Sequence, residues 1–156
     1  IEKMNSPADI TVCLIEDNPI DVTLTRNLLA GIPIEHYSQI EDATETRADL
    51  ILLDLMLPGE DGFTEGAETV RKCRRLMPLL PIVVLTADLP QIAEECLRSG
   101  ADSFYRKNAT DRKQLVSAML SAVTGHNKAV ARNQQCSAEM LAKYDQIEAA
   151  LSSMLE

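Results

Sequence analysis

Tryptophan is absent from this sequence, and two phenylalanines and three tyrosines are its only aromatics. Aliphatic side chains must therefore build the core. At 46% hydrophobic residues over 156 positions there are enough of them for one domain, with at most an appendage. Basic charge is also short, with 15 Lys and Arg against 24 Asp and Glu and a formal net charge of −9. That balance argues against direct nucleic-acid binding and against an anionic membrane surface, because either needs a basic stripe. No apolar run approaches the ~20 residues of a membrane span. No secretory-leader pattern precedes the first apolar segment. Cys13, Cys73, Cys96 and Cys136 contain no C-x-x-C pair, and neither His36 nor His126 lies at a zinc-like spacing from them. They read as free thiols packed as small hydrophobes in a reducing, cytoplasmic setting.

What is present is alternation. ITVCLI (residues 10–15) reads as a buried strand ended by Glu16 and Asp17. Asn18 suits a helix N-cap, Pro19 the first helical position and Asp21 the positive helix end. Ile20, Leu24 and Leu28 are expected on that helix's inner face, with Gly31 closing it. IEHYSQI (34–40) is a weaker edge strand, and EDATETRA leaves room for only a short second helix. DLILLD (49–54) and PIVVLT (81–86) read as buried strands. Between them, Phe63, Ala67, Val70 and Met77 mark one face of a helix. PQIAEECLRSG, closed by Gly100, is a fourth helix, and DSFYR a short fifth strand. Leu115, Val116, Met119, Ala122 and Val123 line the last helix of the globule. Five strand–helix alternations predict an α/β protein, a flavodoxin-like doubly wound five-stranded parallel sheet in the order 2-1-3-4-5.

Past Gly125 the composition changes to an Ala-, Glu-, Gln- and Lys-rich stretch without Pro or Gly. The expected division is a globular domain over 1–125 and a C-terminal helical extension over 126–156. In the extension Met140, Tyr144, Ile147, Leu151 and Met154 alternate at spacings of four and three, a short heptad seam. One reading is an amphipathic helix packed on the globule. The seam favours the other, a signalling helix that forms a homodimer or leads into an output domain.

The stretch LILLDLMLPGEDG (50–62) places Asp54 among leucines, where a carboxylate is costly if buried unpaired. In an open α/β sheet, ligands bind beyond the carboxyl ends of the strands where the strand order reverses. Here that point brings Glu16, Asp17 and Asp54 to one mouth, with Thr86 ending the fourth strand and Lys107 following the fifth. Three acids repel one another unless a cation joins them, and hard oxygen ligands suit Mg²⁺. Asp54 is then placed to attack phosphorus, with Thr86 donating a hydroxyl and Lys107 a point charge to phosphoryl oxygens.

Together IEDNP, LLDLMLPGEDG, VVLTA and GADSFYRK, in this order and register, resemble the receiver domains of bacterial two-component response regulators over about residues 11–124. The resemblance implies phosphorylation of Asp54 by a phosphohistidine on a sensor histidine kinase or phosphotransfer protein. It implies Mg²⁺ held by Asp17, Asp54 and the Met56 backbone carbonyl, with Glu16 acting partly through water. Thr86 and Phe104 would form the switch pair, Phe104 swinging inward as Thr86 engages the phosphoryl group. The fourth helix, fifth strand and fifth helix would form the face read by a partner. Two features depart from the family pattern. Asn108 follows Lys107 where proline is usual, and the short interval from Asp17 to Asp54 shortens the second helix.

Other chemistries fit less well. A haloacid-dehalogenase-like phosphatase needs a second acid two residues after its nucleophile, where this chain has Met56. A flavodoxin phosphate loop would be repelled by the acidic EDNP. The alternative from a different class is a phosphorylation-independent interaction module with the receiver fold. The expectation is a phosphoacceptor switch, with self-catalysed phosphoryl transfer and dephosphorylation, rather than an enzyme acting on a diffusible substrate.

Overall fold

The computed structural model describes residues 10–55, 62–86, 90–107, 111–133 and 138–155. Met56, Asn108 and Cys136 lie outside these residues, and only the backbone is described at Phe63 and Met140. In chain order the elements are β1 (Val12–Ile15), α1 (Pro19–Leu28), β2 (Ile34–Tyr37), a 3-10 turn (Ile40–Ala43), β3 (Leu50–Asp54) and α2 (Gly62–Leu76). They continue with β4 (Ile82–Thr86), α3 (Pro90–Arg98), β5 (Ser103–Arg106), α4 (Arg112–Asn133) and α5 (Ala138–Ser153). All strand pairs are parallel, in the order β2-β1-β3-β4-β5. The second helix is reduced to the single 3-10 turn, as the short interval before Asp54 requires.

The pleat sends alternate side chains to opposite faces, which divides the core in two. Val12, Leu14, Leu50, Leu52, Val83 and Leu85 face α4 and α5. Cys13, Ile15, Ile51, Leu53, Ile82 and Val84 face the layer that carries Val70, Cys73 and Cys96. Burial pushes the Cys13 and Cys73 thiols up to about 12 and the Cys96 thiol to about 11, so these thiols are core packing rather than nucleophiles.

The first helix begins as expected, with Asn18 Oδ1 accepting from the Ile20 N–H at 2.9 Å and Pro19 opening the helix. Its inner face does not. Ile20 is 70% and Leu24 59% exposed, Leu28 is half-buried, and α1 has no fully buried residue. The helix is instead rotated so that Asp21, Val22 and Thr25 turn inward. Two ties set this rotation: the ion pair of Asp21 with Lys107 at the helix start, and burial of Leu29 and Ile32 just beyond its end.

The C-terminal seam is likewise used differently from the favoured expectation. α4 runs unbroken through Gly125 to Asn133, and α5 packs against it. Tyr144, Ile147, Ala150 and Leu151 are buried in the same core as Val12 and Leu50, with Met154 half-buried beside them. A seam of alternating fours and threes needs an apolar partner, and the globule's own sheet and α4 supply it. Lys143 adds an ion pair to Asp49 at 3.0 Å, and the Tyr144 hydroxyl donates to the Leu79 carbonyl.

Candidate functional site: the acidic mouth of the sheet

Strand register assembles the site. Ile15 pairs with Leu53, so the next residues, Glu16 and Asp54, emerge side by side beyond the strand ends. Asp54 pairs with Leu85, and Thr86 with Arg106, which brings Thr86 and Lys107 to the same rim. The Lys107 N–H donates to the Thr86 carbonyl at 2.8 Å, fixing the start of the loop that follows β5.

Carboxylate oxygens of Glu16, Asp17 and Asp54 lie within 4.8 Å of one another. The Glu16 side chain is fully buried and that of Asp54 2% exposed, while Asp17 opens to solvent. The three border an open cleft of about 270 Å³ whose other walls include Ser38, Leu55 and Thr69. Such crowding needs compensation. Burial, and then the Asp54 carboxylate alongside, push the Glu16 carboxyl up to about 8, so at neutral pH a proton stands in for part of the missing positive charge. The Lys107 ammonium supplies more, 2.6 Å from Asp54 Oδ1 and 3.8 Å from Glu16 Oε1. Burial works against that ammonium, but Asp21 and Asp54 outweigh it and hold Lys107 protonated above the usual lysine range. A retained proton and a shared ammonium mark a donor set that a hard divalent cation fits, because oxygen ligands with one open side leave room for its waters.

Thr86 is buried, and its Oγ1 has no hydrogen-bond partner among the described residues. A buried hydroxyl without a partner costs on the order of 1–3 kcal/mol, which makes it a donor waiting for an acceptor. Phe104 is 44% exposed on β5 and pairs in register with Val84, so the pleat puts it on the same sheet face as Thr86. The expected residues Glu16, Asp17, Asp54, Thr86 and Lys107 thus meet at one mouth, while Met56 lies outside the described residues. Sequence reasoning assigned Asp21 only to the helix start. Its Oδ2 is 2.7 Å from Lys107 Nζ, a contact across 86 positions that no local pattern signals.

A doubly wound sheet in this order, with an acidic mouth at its switch point and a lysine and a threonine on the rim, defines a class of receiver-like folds. The response regulator receiver domain model matches residues 12–120, and the chain belongs to that family. Transcriptional regulatory protein AfsQ1 of Streptomyces coelicolor is 37% identical over 114 residues, covering 65% of this chain and 46% of that protein. Sensor protein GacS of Pseudomonas syringae pv. syringae is 30% identical over 119 residues, 70% of this chain and 13% of that protein. The crystal structure of FixJ-N superposes with a TM-score of 0.57 at 25% identity, over 73% of this chain and 93% of that one. The chain therefore spans less than half the length of these curated relatives. Among the described residues no helix is long and apolar enough to cross a membrane.

Proposed function

We propose that the chain is a phosphorylation-controlled switch in which Asp54 accepts a phosphoryl group from a phosphohistidine on a sensor histidine kinase or phosphotransfer protein. The observation that carries this reading is a nearly buried Asp54 carboxylate with an ammonium at 2.6 Å and two further carboxyl groups clustered beside it. An Asp54 oxygen attacks phosphorus, the P–N bond to the donor imidazole breaks as the P–O bond forms, and the departing imidazole is protonated from solvent. Glu16, Asp17, Asp54 and the Met56 carbonyl would hold Mg²⁺, which when bound supplies positive charge to the phosphoryl oxygens. Glu16 gives up its retained proton to make that site. Lys107 donates to one phosphoryl oxygen and the free Thr86 hydroxyl to another.

The phosphoryl group adds roughly two negative charges and new acceptor oxygens. Drawing Thr86 toward it vacates room on the sheet face that Phe104 shares, so Phe104 moves inward and remodels the surface made by α3, β5 and α4. That surface is the one read by a partner or an output segment, and the reading places the protein in the cytoplasm. A homodimer through the seam of α5 would require that helix to leave its own core.

The test is intact-protein mass after incubation with acetyl phosphate and Mg²⁺. The wild type should gain a labile phosphoryl adduct, and Asp54→Asn should gain none. A wild type that binds Mg²⁺ and stays unmodified would favour a phosphorylation-independent interaction module.

A further inference from the structure

The Lys107 ammonium is divided between two carboxylates at nearly equal distance: Asp54 Oδ1 at 2.6 Å, which the proposed reaction consumes, and Asp21 Oδ2 at 2.7 Å on the first turn of α1, which it does not. We infer that Asp21 is a positioning residue for phosphoryl transfer, holding Lys107 at the acceptor while the charge on Asp54 is lost. The inference rests on the reading of Asp54 as phosphoacceptor.

Three observations lead to it. First, acyl phosphate formation removes the charge of the Asp54 carboxylate, and Glu16 stands at 3.8 Å, so Asp21 is the partner that keeps a hydrogen bond to Lys107 through the step. An ammonium has three donors, so one can stay on Asp21 while another follows the phosphoryl oxygen. Second, the lysine side chain, 20% exposed, borders open space on one side. α1 spans a groove of about 300 Å³ whose apolar walls include Leu24, Leu28, Leu85 and Tyr105, with Lys107 and Asp21 at its polar end. A four-carbon stem beside open space carries about 2 kcal/mol of rotamer entropy, and an ionic tie removes that freedom before the reaction. Third, the tie has a firm base, because α1 is strapped at its other end as well. Arg112 Nη1 donates to the carbonyls of Leu28 at 3.2 Å and Ala30 at 3.0 Å, meeting the negative end of the helix.

The experiment is the rate of phosphorylation of the full chain by acetyl phosphate, at saturating Mg²⁺ and over a range of donor concentrations. Wild type, Asp21→Asn, Asp21→Ala, Lys107→Ala and the double variant Asp21→Ala/Lys107→Ala are compared. Asp21→Ala should lower the maximal rate about tenfold with the half-saturating donor concentration unchanged, as expected for a group that acts only in the transition state. Asp21→Asn keeps the shape and an acceptor oxygen, so it should fall between wild type and Asp21→Ala, and it serves alone if the alanine variant does not fold. In the Lys107→Ala background, removing Asp21 should change nothing further. An undiminished maximal rate in both Asp21 variants overturns the inference, as does an equal loss with and without Lys107. A wild type that acetyl phosphate does not modify overturns the underlying reading as well, so the two failures are distinguishable.

Discussion

The two ends of the sheet treat buried charge in opposite ways. At the amino ends of the strands the charges of Arg74, Asp102, Asp49 and Lys143 all find partners. The Arg74 guanidinium donates to the carbonyls of Pro78, Leu80 and Gly100 and meets Asp102 Oδ2 at 2.6 Å. Asp102 also accepts from the Ile82 N–H at 2.8 Å. Beside this network His126 Nε2 donates to the Leu79 carbonyl at 2.8 Å, and Tyr144 donates to the same oxygen. Asp49 accepts from the Thr11 N–H at 2.8 Å and pairs with Lys143. At the carboxyl ends Glu16, Asp21 and Asp54 converge on the Lys107 ammonium with Asp17 alongside, Glu16 keeps a proton, and the buried Thr86 hydroxyl has no partner among the described residues. Polar groups that satisfy one another fasten the fold, whereas like charges gathered and left short of countercharge wait for something from outside.

The largest effect that would sharpen this contrast lies in the core beneath the satisfied end. Leu151→Ala should cost about 2–5 kcal/mol in urea unfolding, since Leu151 is fully buried against the globule. It should leave the sedimentation coefficient unchanged. A dimer that dissociates on this substitution would instead show the seam pairing two chains. Arg74→Ala comes next, at about 2–3 kcal/mol, because it takes the guanidinium away from the Asp102 carboxylate and from three carbonyls.

The acidic mouth should respond in the other direction. An unfolded glutamate releases its proton near pH 4.5, whereas folded Glu16 keeps its own until about 8. Within that window the folded state binds more protons, so the stability of the metal-free protein should fall as pH rises from 5 toward 8. Glu16→Gln should flatten that slope, gain about 1–2 kcal/mol at the upper end and weaken Mg²⁺ binding in a calorimetric titration. A Glu16→Gln protein less stable than wild type at pH 8 would break the comparison. The smallest effect is Tyr144→Phe, about 0.5–1.5 kcal/mol, because His126 still donates to the Leu79 carbonyl.

Most of the site was legible because it is made at strand ends. A hydrophobic run stopping at Glu16-Asp17, another at Asp54 and a third at Thr86 each expose polar groups at the same edge of a parallel sheet, and the strand order then brings them together. The position of Lys107 followed from the same logic. Asp21 was legible only as a favourable acid in a helix's first turn, since its partner lies 86 positions away. The inner face of α1 lies one residue round from the apolar stripe that periodicity picks out. Ile20, Leu24 and Leu28 form a good helical stripe, but Asp21, Thr25 and Leu28 form an adjacent one, and periodicity does not choose between stripes that share a residue.

Local sequence specifies where the strands end, the reduction of the second helix to one turn, and the residues gathered at the mouth. Each follows from local spacing and from the rule that a parallel sheet presents its strand ends at one edge. Long-range packing sets the sharing of Lys107 with Asp21, the rotation of α1, and the use of the α5 seam on its own globule. Those depend on which distant surface lies opposite, and a stripe of apolar or charged residues specifies that it needs a partner without specifying which one.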